Sequence, residues 1–246
     1  MSRFRETFAT PKPILAMLHL AGDDRAAKLA QAEEEARIMA GEGVDGLVIE
    51  NYFGDADDVE RALERISGLG LATRIGVNVL RDDAQAFVLA ARYPVDFIQI
   101  DSVAGHLRPE ADAPFAAELT VRRAASKALL LGGVRFKYKP VLSGRPEAED
   151  VAIGARRCDA LVVTSTKTGE PTDLDKVARF RSATGGTVPL LIGAGLTEAN
   201  AAEQMAVADG AIVGSWFKRG HRDTGPVEAD HVARLMRAIR SVRLAA

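Results

Sequence analysis

Eight times along this chain a short run of aliphatic and β-branched residues gives way to a longer amphipathic stretch, and the series runs from end to end without a break. A short apolar run suits a strand buried on both faces, and the amphipathic stretch after it suits a helix that covers one of them. Strands are expected at Pro13–His19, Gly46–Asn51, Arg74–Val79, Asp96–Asp101, Val134–Lys139, Ala160–Thr164, Pro189–Gly193 and Ala211–Gly214. Helices fall at about 24–42, 56–67, 82–92, 115–130, 147–157, 173–183, 197–206 and 228–242. Eight parallel strands with crossover helices predict an α/β fold, a (β/α)8 TIM barrel, and 246 residues is a usual length for one. No linker or composition shift interrupts the series, so residues 1–246 read as a single TIM-barrel domain, with 1–12 as a lead-in.

The punctuation agrees. Gly43-Val-Asp-Gly46, Pro94-Val-Asp96, Cys158-Asp159 and Ala208-Asp-Gly210 each read as the turn that feeds the bottom of a strand. The longest irregular stretch, Ser102–Pro114, is expected to be a loop at the barrel mouth, either a lid or a contact in a homo-oligomer.

Composition narrows the partners. A formal charge of −2, with both signs interspersed, gives no basic field for nucleic acid. No run reaches the ~20 apolar residues that span a bilayer, and Met1–Phe8 lacks a signal-peptide core, so a cytoplasmic location is expected. A lone cysteine, Cys158, excludes an intrachain disulfide and any cysteine-built metal site, and reads as a small buried residue.

Alternation within each strand assigns side chains to the barrel interior or to the helix layer. The polar end residues set the phase: His19, Glu50, Asn78, Asp101, Lys139 and Thr164 are expected at the mouth, with Gln99 and Lys137 one layer deeper. Arg135 joins the inward set, and Phe136 and Tyr138 are expected to face the helices. Charges at such depth are costly unless paired or used, and catalytic groups of this fold sit at strand ends. Glu50 opposite Lys137 or Lys139 could instead form an ion pair that only fills the barrel top, and His19 could simply cap the first loop. Asn51, Asp82 and Asp83 read as helix caps. A lysine here either attacks a carbonyl or holds an anion, and the residues leave both uses open.

The last third adds an anion signal. Val188-Pro-Leu-Leu-Ile-Gly-Ala-Gly195 and Asp209-Gly-Ala-Ile-Val-Gly-Ser215 are strands that each run into glycine, where backbone N–H groups can approach a phosphate. Loops after the last two strands of such a barrel are where a phosphate site recurs. Gly193, Gly195, Gly214 and Ser215 are the expected phosphate ligands, with Thr168 and Gly169 of Thr164-Ser-Thr-Lys-Thr-Gly-Glu-Pro171 closing the side. Trp216, Phe217 and Lys218, followed by His221 and Arg222, read as a packed short helix rather than an aromatic platform.

These motifs together resemble one family. His19 after the first strand, the stretches at 43–51 and 75–83, Val162-Val-Thr-Ser-Thr-Lys-Thr-Gly169, and those at 192–200 and 209–218 are similar to the BtpA/SgcQ family over nearly the whole chain. The resemblance implies a TIM barrel of the ribulose-phosphate-binding type. It also implies relatives linked to photosystem I biogenesis and others encoded beside sugar-uptake genes. Departures lie at the first loop (His19-Leu-Ala-Gly-Asp-Asp24), the fourth strand (Gln99-Ile-Asp-Ser102) and Lys137-Tyr138, so the phosphate end is kept better than the reacting end.

The expected function is an enzyme acting on a small phosphorylated metabolite, a sugar phosphate or phosphoribosyl compound, by isomerase, epimerase or aldolase/lyase chemistry. Glu50 and Asp101 would be the acid–base pair, Lys137 or Lys139 the electrophilic or Schiff-base group, and His19 and Asn78 orienting or proton-shuttling groups. No cofactor is required by the motifs; Glu50 and Asp101 are the candidate ligands should Mg2+ or Mn2+ be used. The alternatives are a non-catalytic biogenesis factor or a sensor of phosphorylated ligands.

Overall fold

The computed structural model describes residues 2–245, and its eight parallel strands close into a barrel in chain order. They are β1 (Ile14–Leu18), β2 (Gly46–Glu50), β3 (Arg74–Asn78), β4 (Phe97–Ala104), β5 (Leu129–Val134), β6 (Ala160–Val163), β7 (Leu190–Ile192) and β8 (Gly210–Val213). A short α1 (Arg3–Thr7) precedes them. Between and after them run α2 (Arg25–Gly41), α3 (Ala56–Ser67), α4 (Asp83–Arg92), α5 (Pro109–Ala125), α6 (Glu147–Arg157), α7 (Leu174–Thr184), α8 (Ala201–Val207) and α9 (Ala229–Leu244). No helix among the described residues is long and apolar enough to cross a membrane.

The barrel bottom repeats one device four times. Asp45, Asp96, Asp159 and Asp209, each just ahead of an even-numbered strand, accept at 2.8 Å from the N–H of Ile14, Ile75, Leu130 and Leu190 on the strand before. Each aspartate returns its own N–H to the carbonyl of that same residue, at 2.7 to 2.9 Å. Each also meets an arginine: Arg243, Arg74, Arg123 and Arg181 in turn. The carboxylate thus satisfies a buried strand-start donor that water cannot reach. Asp209→Ala is therefore expected to cost about 1–3 kcal/mol, the penalty for an unpaired buried donor. Urea denaturation checks it, and an unchanged midpoint would contradict it.

The lead-in closes the same end. Phe4 and Phe8 belong to the interior cluster with Leu15, Met17, Val48 and Phe97, and the Phe8 and Phe97 rings lie 5.6 Å apart. Phe97 fills space that Gly76 leaves empty, since a Cβ at Gly76 would come within 2.1 Å of the Phe97 ring. Phe8→Ala is expected to lower stability by about 3–5 kcal/mol, the usual cost of emptying a buried aromatic site. Thermal unfolding gives the readout; a loss under 1 kcal/mol would show that the lead-in does not plug the barrel.

Two expectations are corrected. The fifth strand is Leu129–Val134, not Val134–Lys139, and residues 135–139 turn away from the sheet. Arg135 and Tyr138 take left-handed φ values of 47° and 62°, which break the strand geometry that an alternating Arg-Phe-Lys-Tyr-Lys pattern suggests. As a result Arg135 faces the helix layer, pairing with Asp150 at 2.9 Å, while Phe136 plugs the interior. The second correction is the supposed long loop at 102–114. Its first part extends β4 to Ala104, and Pro109 opens α5 at the position where a missing N–H costs nothing.

The caps divide. Asp82 does cap α4, accepting from Gln85 N–H. Asn51 instead accepts from Leu80 N–H at 2.6 Å and ties the loop after β2 to the loop after β3. Asp83 is the first residue of α4. The segment after β8 forms two single turns of 3-10 helix, Ser215–Phe217 and Arg219–His221, with Phe217 buried and Trp216 stacked on His221 at 4.0 Å.

Candidate functional site

Inward parity puts Met17, Glu50, Gln99 and Ile212 around a cavity of about 360 Å3 at the carboxyl ends of the strands. His19, Asp101, Lys137 and Lys139 line it, and on the opposite side so do Thr168, Gly169, Gly193, Gly195, Gly214 and Ser215. The acidic ring and the glycine loops, distant in sequence, therefore share one chamber. Asn78 lies behind the wall, only 1% exposed.

Asn78 organises the acids. Its Nδ2 donates to Glu50 Oε1 at 2.7 Å and to Asp101 Oδ1 at 3.2 Å, so one amide holds two carboxyls of like charge side by side. Burial, and next the charge of Asp101, push the Glu50 carboxyl up to about 8. At neutral pH Glu50 is thus largely protonated and able to donate. The alternative of a Glu50–lysine ion pair is not what forms: Lys139 lies 3.7 Å from Asp101, and Glu50 faces His19.

His19 is held neutral. Burial, and then the nearby Lys218 charge, bring it down to about 3. Its Nδ1 lies 3.5 Å from the Asp223 carbonyl, which can only accept, so Nδ1 carries the proton. The bare Nε2 then looks toward Glu50 Oε2 at 3.8 Å. Tyr52 stacks on the imidazole at 4.8 Å and fixes its plane.

Sequence reasoning missed several members. Lys218 is completely buried and donates to the Asp223 carbonyl at 3.2 Å; burial lowers its ammonium. Tyr52 and Tyr138 line the chamber, and the Tyr138 hydroxyl accepts from Thr168 N–H at 3.0 Å. Asp83 is pushed up to about 6, first by burial and then by Asp101. Only a charge in the Trp-Phe-Lys segment hinted at Lys218, and nothing in the Glu50-Asn-Tyr52 stretch marked the tyrosine.

The glycine side is open to an anion, with one correction. Gly193 N–H donates to the Val163 carbonyl at 2.8 Å, because the ladder continues one residue past β7, so it has no donor to give. The N–H groups of Ala194, Gly195, Gly214 and Ser215 have no such partner among the described residues, and all four residues line the chamber. Gly195 sits at φ 71°, where a Cβ would come within 2.2 Å of the Glu170 carbonyl. A Cβ at Gly214 would lie 3.2 Å from the His19 ring, which shows how closely the two halves of the site abut.

A metal would find few ligands here. Among the described residues no group of three or more His, Cys, Asp or Glu side chains is placed to hold one. Glu50 and Asp101 each have one oxygen engaged by Asn78, leaving one apiece for an ion that would need the rest from its ligand.

The model of the BtpA family matches residues 10–241. The Photosystem I biogenesis protein BtpA of Synechocystis is 29% identical, over 87% of this chain and 83% of its own. An uncharacterized protein of Thermococcus kodakarensis is 27% identical over 94% of this chain and 97% of its own. Among solved structures, one described as "Native KDPGal structure" superposes with a TM-score of 0.67 at 15% identity, covering 95% of this chain and 97% of that one. The (S)-3-O-geranylgeranylglyceryl phosphate synthase of Thermoplasma acidophilum, in complex with sn-glycerol-1-phosphate, gives 0.62 at 14% identity, over 98% and 97%. At such identities the superpositions speak for the barrel alone, whereas the family match covers nearly every strand and loop of the site: the chain belongs to the BtpA family.

Proposed function

We propose that the protein is an enzyme acting on a small phosphorylated metabolite. The observation that carries this reading is the joining, in one chamber, of free backbone donors at Ala194, Gly195, Gly214 and Ser215 with the Asn78-bridged Glu50 and Asp101. Phosphate would take the N–H groups, as anions do where unsatisfied donors converge. The remainder of the ligand would then lie against an acid that holds its proton at neutral pH, Glu50, and a second carboxyl, Asp101. Proton transfer within a sugar phosphate or phosphoribosyl compound is the reaction class this pairing suits, covering isomerisation, epimerisation and carbon–carbon cleavage. Neutral His19, with Nε2 bare, would accept or relay a proton beside Glu50. The phosphorylated ligands in the names of structural neighbours add support by analogy of fold only.

Thermal unfolding with inorganic phosphate and ribose 5-phosphate tests the reading. Ligand at a hundred times its Kd adds about 2.7 kcal/mol, a rise of a few degrees in Tm. Gly195→Ala should remove that rise by forcing its loop off the Glu170 carbonyl. A rise that survives the substitution, or no rise with either compound, would count against the site.

One observation favours a second reading, a non-catalytic biogenesis factor: Tyr138, Val141 and Leu142 are exposed on the loop beside the mouth, and the Synechocystis relative carries a biogenesis name. On that reading Glu50→Gln leaves cellular function intact. Phosphate binding without turnover of any bound compound would instead indicate a sensor.

A further inference from the structure

Lys137 stands apart from the other seven lysines. Those that are not exposed all have an acceptor or a counter-charge: Lys12, Lys176 and Lys218 donate to carbonyls, Lys28 pairs with Asp58, and Lys139 faces Asp101. Lys137 is half-buried, lines the chamber, and has no hydrogen-bond or ion-pair partner at Nζ among the described residues. Its Nζ lies 5.8 Å from the centre of the Phe136 ring, at the outer limit of a cation–ring interaction.

Its placement is enforced. Lys137 N–H donates to Thr164 Oγ1 at 3.0 Å, and it lies between Arg135 and Tyr138, both non-glycine residues in the left-handed region. Each such residue costs roughly 1 kcal/mol, a strain that structures retain mainly around functional groups. The turn sends Phe136 down into the barrel and leaves Lys137 on the wall of the chamber that Glu50, Asp101 and Tyr138 also line.

We propose that Lys137 is a nucleophile toward a carbonyl carbon, so that the ligand of this chamber is a phosphorylated aldehyde or ketone. The proposal rests on the phosphate reading above and narrows it. The Nζ lone pair bonds to the carbonyl carbon, and the C=O π electrons move to oxygen, which takes the Glu50 proton. Nitrogen passes one proton to Asp101. Asp101 returns it to the hydroxyl, the C–O bond breaks, and water leaves as the nitrogen lone pair forms the protonated imine. One amine, one carbonyl and one carboxyl proton thus become one iminium, one water and one Glu50 carboxylate, so a new cation arises facing a new anion. Burial lowers the Lys137 ammonium, which raises the share of free amine needed for the first step.

Pyridoxal 5'-phosphate, a phosphorylated aldehyde, is the probe. The protein is treated with one equivalent, reduced with borohydride, and mapped by peptide mass spectrometry; dihydroxyacetone phosphate serves as a smaller second probe. Labelling is expected at Lys137 at least tenfold above any other lysine, to vanish in Lys137→Arg, and to slow with excess inorganic phosphate. Label confined to exposed Lys127 and Lys167 with both probes, on folded protein, would overturn the proposal. The two readings separate cleanly: Lys137 labelling that phosphate does not slow defeats the cradle and keeps the nucleophile, whereas a phosphate-dependent Tm rise without labelling does the reverse.

Discussion

Glu50→Gln is expected to make the protein more stable than wild type at alkaline pH, by an amount that grows as pH rises. The buried carboxyl titrates at about 8 in the folded chain against an ordinary 4.5, so between those values the folded state holds a proton that the unfolded state has released. Stability then falls with rising pH at about 1.4 kcal/mol per unit, and the contribution present below pH 4.5 is gone above 8. Glutamine keeps an oxygen for the Asn78 amide and cannot ionise. The variant's advantage should therefore be smallest near pH 4.5 and larger by on the order of 4 kcal/mol at pH 8 to 9. His19 acts in the opposite sense: its folded value of about 3 makes stability rise with pH up to about 6.5 in both proteins, so it cancels in the difference. Urea denaturation of both proteins from pH 4.5 to 9 gives the comparison, and a constant difference would mean that Glu50 is ionised throughout. A site that gains stability on losing its acid is one arranged for use, not for folding.

Asn78→Asp should be the most damaging single-atom-scale change in the barrel top. The side chain is buried, and its two N–H bonds separate Glu50 from Asp101. Aspartate removes both donors and adds a third carboxyl group to the pair, so that at neutral pH a second negative charge is buried beside Asp101 and the single Glu50 proton has two carboxylates to serve. A loss of about 3–5 kcal/mol is expected, as when one member of a buried polar pair is removed. The deficit should narrow toward pH 5, where a second proton on the carboxyl cluster removes one of the two buried charges and adds a donor. Equal deficits at pH 5 and pH 8 would show that shape, not charge, was lost.

Much of this arrangement is legible in the sequence because alternation is reliable wherever a polar residue ends an apolar strand. His19, Glu50, Asn78 and Asp101 share the inward face with Leu15, Val48, Gly76 and Gln99 for that reason, and so were assignable from parity. The aspartates of the strand-bottom turns were equally visible, though not their bonds to the preceding strands. The fifth strand failed because Leu129-Leu-Leu-Gly-Gly-Val134 is apolar throughout and offers no alternation, while the loop behind it alternates by accident. Two left-handed non-glycine residues make that loop, and local propensity opposes both. Gly193 departs from its expected role because a glycine in sequence does not reveal whether the ladder continues through it. Lys218 and Tyr52 reach the site by tertiary packing of short irregular segments, which no periodicity reports.

A crystal structure of the protein soaked with ribose 5-phosphate tests most directly whether one chamber holds a phosphate at its glycine side and presents the rest of the ligand to Glu50 and Asp101. Phosphate oxygens are expected within hydrogen-bond distance of the N–H groups of Gly195, Gly214 and Ser215, with the sugar toward the two carboxyls. Phosphate bound instead among Arg3, Arg123, Arg156 and Arg157 on the outer surface, with the chamber empty, would contradict it.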